Sequence, residues 1–215
     1  MSEFLIKIAT VEDQQYSSAI CDEIEESAKA RGTGIAKRSV EYLNNKIAEG
    51  KAVIAIYKKT KEVAGFCYIE SWGHHKYVAN SGLIVFSKFR KYGLARKIKA
   101  KAFELSRKKF PEAKLFGLTT SLAVMKINSE LGYYPVTFSE LTDDEEFWKG
   151  CQSCVNYEIL QSKDRKNCLC TGMLYDAKAK KKGTWDFIND LSIVRRLKRI
   201  KENVFLKFAG IKLSN

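Results

Sequence analysis

Apolar and polar residues alternate over Phe4–Ala9, the period of a half-buried strand. From Val11 to Arg31 the period lengthens: Ala19, Ile20, Ile24 and Ala28 recur at helical spacing, and Gly32-Thr33-Gly34 stops the helix. Ser39 is a good N-cap for a second helix, which Gly50 ends. Two apolar runs around a polar turn, Ala52–Tyr57 and Val63–Trp72, predict a pair of strands, and Tyr77–Phe86 a further one. A long helix follows over Leu94–Phe110, with Ile98, Ala102, Phe103, Leu105 and Phe110 inward and Pro111 as its stop. Lys114–Leu118 predicts a strand, Leu122–Leu131 a short helix, and Tyr134–Phe138 another strand. Near the end, Ile193, Leu197, Ile200, Val204 and Phe208 share one helical face, while Arg195, Arg196, Lys198, Arg199 and Lys201 lie mostly off it. The order β-α-α-β-β followed by β-α-β-α-β predicts an α/β fold, a mixed central sheet flanked by helices.

Composition narrows the picture. With 215 residues and 45% hydrophobic content the chain can bury one core. The expected organisation is a domain over 1–176, with a Cys-containing insertion at 140–170, then a Lys-rich link and basic helix over 177–215. No apolar run reaches the ~18 residues of a membrane span, and MSEFLIKIATVEDQ lacks a signal-peptide pattern. A cytoplasmic location is therefore expected, with the six cysteines as thiols or metal ligands rather than disulfides. The net charge is +13, and residues 88–109 hold ten Lys/Arg against one acid, Glu104. Such charge suits an anionic partner: nucleic acid, acidic lipid or a phosphate-bearing cofactor.

The stretch SGLIVFSKFRKYGLARKIK joins a strand to a helix through Gly93. Glycine permits a tight turn, and the backbone N–H groups that open a helix lack helical partners. The result is a candidate pyrophosphate site, reinforced by Arg90, Lys91, Arg96 and Lys97. The same residues also fit an ordinary strand–loop–helix connection with a solvated basic face.

Arg90-x-x-Gly93-x-Ala95 after the strand Leu83–Val85 resembles motif A of the GNAT acyl-CoA-dependent N-acyltransferases. Leu131-Gly132-Tyr133 stands where that family has Leu-Gly-Phe, and CTGMLYD (170–176) is similar to its last strand. Longer strings, among them GFCYIESWGH and VANSGLIV, resemble a bacterial GNAT subgroup associated with arginine biosynthesis. The resemblance implies acetyl-CoA or another acyl-CoA as donor, its pyrophosphate on the amides around Lys91, Tyr92, Gly93, Leu94, Ala95 and Arg96. It implies a pantetheine arm along Leu83, Ile84 and Val85, and a small acidic acceptor, glutamate, taking an acetyl or succinyl group.

Amide formation needs a base for the amine and a way to stabilise the leaving thiolate. Glu70, a carboxylate in an apolar strand, is the candidate base; a solvent-facing strand residue is the alternative. His74 and His75 follow at the strand end, and at most one of two adjacent residues would face the site. Where many family members carry a Tyr acid, this chain has Asn128, which is expected to bond the cofactor sulfur or pantetheine. Tyr133 reads as core, and Tyr134 as a residue that would face the site. Arg31, Lys37 and Arg38, in the loop between the first two helices, are candidates for the acceptor's carboxylates.

Cys151-x2-Cys154-x13-Cys168-x-Cys170 pairs four thiols as a structural zinc site does. The obstacle is distance. In a simple hairpin of VNYEIL and CLCTGMLY, Cys170 would lie ~17 Å from Cys154 at ~3.3 Å per residue, so residues 155–167 must loop back. The basic tail is expected to pack on its own domain or on a second subunit as a homodimer, with membrane-surface or nucleic-acid contact as the alternative. Besides the small-molecule acyltransferase, a protein N-acetyltransferase acting on Lys or N-terminal amines and a non-catalytic binding module remain open.

Overall fold

The computed structural model describes residues 3–31, 38–152 and 154–179. Met1–Ala177 is one compact unit. Its strands are β1 (Phe4–Ile8), β2 (Ala52–Tyr57), β3 (Val63–Trp72), β4 (Tyr77–Val85), β5 (Lys114–Thr119), β6 (Tyr134–Val136) and β7 (Thr171–Tyr175). Its helices are α1 (Ser17–Arg31), α2 (Val40–Ala48), α3 (Leu94–Lys109), α4 (Leu122–Glu130), α5 (Glu145–Lys149) and α6 (Tyr157–Ser162). The strands form a seven-stranded sheet in the order β1-β2-β3-β4-β5-β7-β6.

Period-two alternation distributes the side chains between two cores. Val53 and Ala55 of β2 meet Leu94, Ile98 and Ala102 of α3 on one face. Ala52, Ile54 and Ile56 meet Ile20 and Ile24 of α1 and Leu43 and Ile47 of α2 on the other. A strand covered on both faces must be apolar throughout, which explains AVIAIY. Each buried Ile or Leu contributes about 1.5–3 kcal/mol.

All neighbouring strands run antiparallel except β4 and β5. That parallel pair is short: Tyr77 with Lys114, Val78 with Leu115, Ala79 with Phe116. Beyond it β4 continues to Val85 on β3, and β5 continues to Thr119 on β7. The two strands part at Asn80 and Gly117, opening a fork in the sheet.

Two expectations are corrected. Val11–Tyr16 is a 3₁₀ segment, so α1 begins only at Ser17. Phe103 and Phe110 are half-buried, and Lys99 and Ser106 take buried places on α3. The simple hairpin that would separate the cysteines is not formed, since Tyr157–Ser162 is helical. Among the described residues no helix is long and apolar enough to cross a membrane.

Candidate active site

A cleft of about 780 Å³ opens at the fork. Its walls include Asn80, Ser81, Gly82 and Leu83 of β4, Gly117, Leu118 and Thr119 of β5, and Tyr68, Glu70 and Trp72 of β3. The β4 edge is shaped by Gly82, whose φ is +62° and whose added Cβ would fall 2.4 Å from Tyr68 Cε1. Only glycine fits both the left-handed backbone and the close ring. Opposite it the β3–β4 register shifts between Phe66 and Tyr68, the signature of a bulge. Leu83 lines the cleft, Ile84 turns into the core, and Val85 ends the strand.

The basic turn leads from that edge into α3. Lys91 and Gly93 are both left-handed, at φ +74° and +70°. Gly93 is the N-cap of α3 and offers no capping side chain, so the helix opens with bare amides. A Cβ on Gly93 would meet nothing within 4 Å. These amides and the open space over them lie where the sequence places a pyrophosphate, and the buried Leu94 anchors the turn. The charges are placed differently from the sequence expectation. Arg90 donates to Ser27 Oγ at 3.0 Å and Val85 O at 3.3 Å, and pairs with Glu23. Arg96 forms a fork on Glu130 at 2.6 and 2.8 Å. Both arginines therefore brace the turn, while Lys91 and Lys97 stay exposed at it. Tyr92 packs edge-on against Phe4 with ring centres 5.3 Å apart, and Ala95 is half-buried behind the turn.

On the other side of the cleft stands Glu70, opposite Ala79 in the β3–β4 register and so next to the closed end of the fork. The Tyr42 hydroxyl donates to its carboxylate. Lys46 Nζ lies 3.0 Å from Oε1 and 3.2 Å from Oε2. Burial pushes the Glu70 carboxyl up to about 7, with the Arg38 charge pulling the other way. Burial also lowers Lys46. Arg38 lines the same wall, its Nε donating to the Tyr68 hydroxyl at 2.7 Å and its guanidinium 5.3 Å from the centre of the Tyr42 ring. Sequence reading missed Tyr42 and Lys46. Their signal was present: they are four apart on α2, flanking the Leu43/Ile47 stripe, hence on one face toward β3.

Other candidates fall elsewhere. His74 and His75 occupy the β3–β4 turn at φ +53° and +67°. His75 bonds Ser71 Oγ at 2.9 Å and packs on Phe110; neither histidine lines the cleft. Tyr134 starts the edge strand β6, 40% exposed and outside the cleft. Lys37 and the Arg31 side chain lie outside the described residues, as does the basic segment 180–215. Asn128 is buried on α4, its Nδ2 3.7 Å from Met173 Sδ and its Oδ1 without a hydrogen-bond partner among the described residues. A Cβ on Gly117 would lie 3.9 Å from that Nδ2, which sets the carboxamide against the fork.

α6 and the turns after it bring the chain back toward the first cysteine pair. The Cys151 and Cys170 thiols sense those of Cys154 and Cys168, and burial pushes them up to about 11 and about 12. Asn156 N–H donates to Cys154 Sγ at 3.5 Å. Cys151, Cys154 and Cys170 line one end of the cleft. As the side chains stand, no group of three or more His, Cys, Asp or Glu among the described residues is arranged to hold a metal ion.

Neither a family model nor a curated protein matches the sequence. Solved structures match it in fold. An N-acetylglutamate synthase from Neisseria gonorrhoeae, complexed with coenzyme A and N-acetyl-glutamate, is similar with a TM-score of 0.57 at 18% identity. That match covers 83% of this chain and 36% of the synthase, so the chain spans about a third of that protein. A Mycobacterium tuberculosis protein in complex with CoA gives 0.56 at 15% identity, covering 80% and 98% of the two chains. A putative acetyltransferase from Salmonella typhimurium with acetyl-CoA gives 0.52 at 14%, covering 85% and 98%. The fold expected from the motif A resemblance, that of the GNAT acetyltransferases, is the fold of this chain.

Proposed function

We propose that this chain is an acyl-CoA-dependent N-acyltransferase acting on the amine of a small acidic acceptor, with residues 1–176 as its catalytic domain. One observation carries the reading: the unpaired β4 edge runs from the bare amides at Gly93 to a cleft that holds a buried, raised carboxylate, Glu70.

The residues fit the donor. The amides from Lys91 to Arg96 and the open space over Gly93 suit a pyrophosphate. The free edge of Leu83–Val85 suits a chain of amides that adds itself as a strand. Acyl-CoA supplies the acyl group and a thiol as leaving group. Glu70 accepts the proton of the attacking amine, either directly or through one water; a base near 7 matches that task at neutral pH. Tyr42 and Lys46 hold its carboxylate in place. Asn128 offers an unspent amide oxygen to an N–H or S–H in the fork. Arg38 at the cleft wall supplies positive charge for an acidic acceptor, and the N-acetyl-glutamate bound by the Neisseria synthase agrees with glutamate as that acceptor.

Calorimetric titration with acetyl-CoA tests the reading. One saturable site per chain is expected; no binding heat at any pH would overturn it. We also propose a structural zinc on Cys151, Cys154, Cys168 and Cys170, supported by the spacing of the four thiols in two close pairs.

A further inference from the structure

Of the lysines on α3, only Lys99 is buried, with 2% of its surface exposed. Its Nζ donates to the Asn80 carbonyl at 3.4 Å and lies 5.4 Å from the centre of the Tyr133 ring. The titratable groups that face it are the Cys67 thiol of β3 and the Tyr133 phenol after α4, and burial raises both. Both are therefore uncharged at neutral pH, and among the described residues no carboxylate pairs with Lys99. A buried ammonium with one acceptor for three donors costs several kcal/mol unless something repays it.

The repayment is to be sought at the fork. Asn80 is the first β4 residue beyond the last β4–β5 pair. It is tightly held: its Nδ2 donates to Ser106 Oγ at 2.7 Å, and its Oδ1 accepts from the Tyr133 hydroxyl at 3.4 Å. Opposite Asn80, on the β5 side, Gly117 is backed by Asn128, whose Oδ1 is unpartnered. Behind Asn80, at the closed end of the fork, lies an underused cation, and on the β5 side an unspent amide oxygen. A pantetheine arm entering at Gly93 and following Val85 to Leu83 brings its sulfur to that end.

We infer that Lys99 is a positioning residue of the acyl transfer: fixed behind the Asn80 carbonyl, its ammonium stabilises the charge that gathers on the departing CoA sulfur. This rests on the acyltransferase reading above. In the transfer, the C–N bond forms as the C–S bond breaks. The bonding pair stays on sulfur, and the amine's proton passes to Glu70. The carboxamide of Asn128 has no acidic proton to give the thiolate, so positive potential must hold it. Burial sets Lys99 at about 8, which keeps it largely charged at neutral pH.

The test reads the product thiol without turnover. CoA is bound to the wild type and to Lys99→Met, and the ultraviolet absorbance of its thiolate is followed against pH. Desulfo-CoA complexes are subtracted to remove the chain's own six cysteines. Bound CoA should ionise about one pH unit lower in the wild type, a tenfold difference in thiolate at a given pH. Lys99→Met removes a buried charge at similar volume, so its melting temperature should be equal or higher. Equal thiol ionisation in two variants that both bind CoA would overturn the inference alone. A wild type that binds no CoA would overturn the acyltransferase reading and this inference with it. Should Lys99→Met melt lower or lose CoA, Lys99→Gln repeats the comparison with an uncharged polar side chain.

Discussion

Lys46 Nζ stands 3.0 Å from Glu70 Oε1, an ammonium of α2 paired with a carboxylate of β3 at the wall of the cleft. Without this cation and Tyr42, the carboxylate would lose its hydrogen-bond partners and keep only the Arg38 charge as a counter-charge. With them it is held in place while burial keeps its proton affinity high.

The pH dependence follows. A base must be deprotonated, so kcat/KM should rise with pH through about 7, where Glu70 gives up its proton. Glu70→Gln should lower turnover by about 10²–10⁴ and remove this ascending limb. The loss should shrink at high pH, where the amine is already neutral. Stability has the opposite sign. The folded state holds the Glu70 proton to a higher pH than the unfolded chain does, so this residue's contribution falls as pH rises from the ordinary carboxylate range to about 7. Thermal melts of wild type and Glu70→Gln across that range should converge at its acid end. Parallel pH profiles of activity would make Glu70 structural.

Gly93→Val should abolish acetyl-CoA binding while the chain still folds. The position is left-handed, so a side chain costs about 1–2 kcal/mol in backbone strain, yet nothing within 4 Å blocks it sterically. What a valine would obstruct is the approach of a phosphate to the amides. Unchanged affinity in calorimetry, with an intact melt, would remove the pyrophosphate cradle from the account.

Gly82→Ala should be worse for stability and act on the acceptor side. Its Cβ would sit 2.4 Å from the Tyr68 ring, and Tyr68 bonds Arg38. A loss of about 2–4 kcal/mol is expected from strain and overpacking combined, read as a lower denaturant midpoint. A midpoint within experimental error of the wild type would show that the bulge is soft.

If zinc sits on the cysteine quartet, protein prepared without chelator should carry about one equivalent of metal. Cys154→Ser should then lower both metal content and melting temperature. Metal-free protein would defeat the proposal and leave Cys151, Cys154 and Cys170 as metal-free cysteines at the end of the cleft.

Much of this was legible in the residues. AVIAIY read as a strand, Ser39 read as a helix cap, and its hydroxyl does accept from Tyr42 N–H. Glu70 stood out because nothing else in its strand is charged. What stayed hidden depends on tertiary contact. Arg90 and Arg96 read as ligand charges, but their partners Glu23 and Glu130 lie 67 and 34 residues away in sequence. Lys99 was one of ten basic residues in its stretch. Only the packing of α3 on the fork separates it from the others. The return of the cysteines depends on α6, a helix too short and too polar for its periodicity to be read.

The most direct measurement is free-thiol release from acetyl-CoA and succinyl-CoA against each of the twenty amino acids, for wild type and Glu70→Gln. The account predicts release above background with an acidic amino acid, glutamate foremost, and its loss in Glu70→Gln. No release above background with any acceptor and either donor would contradict it.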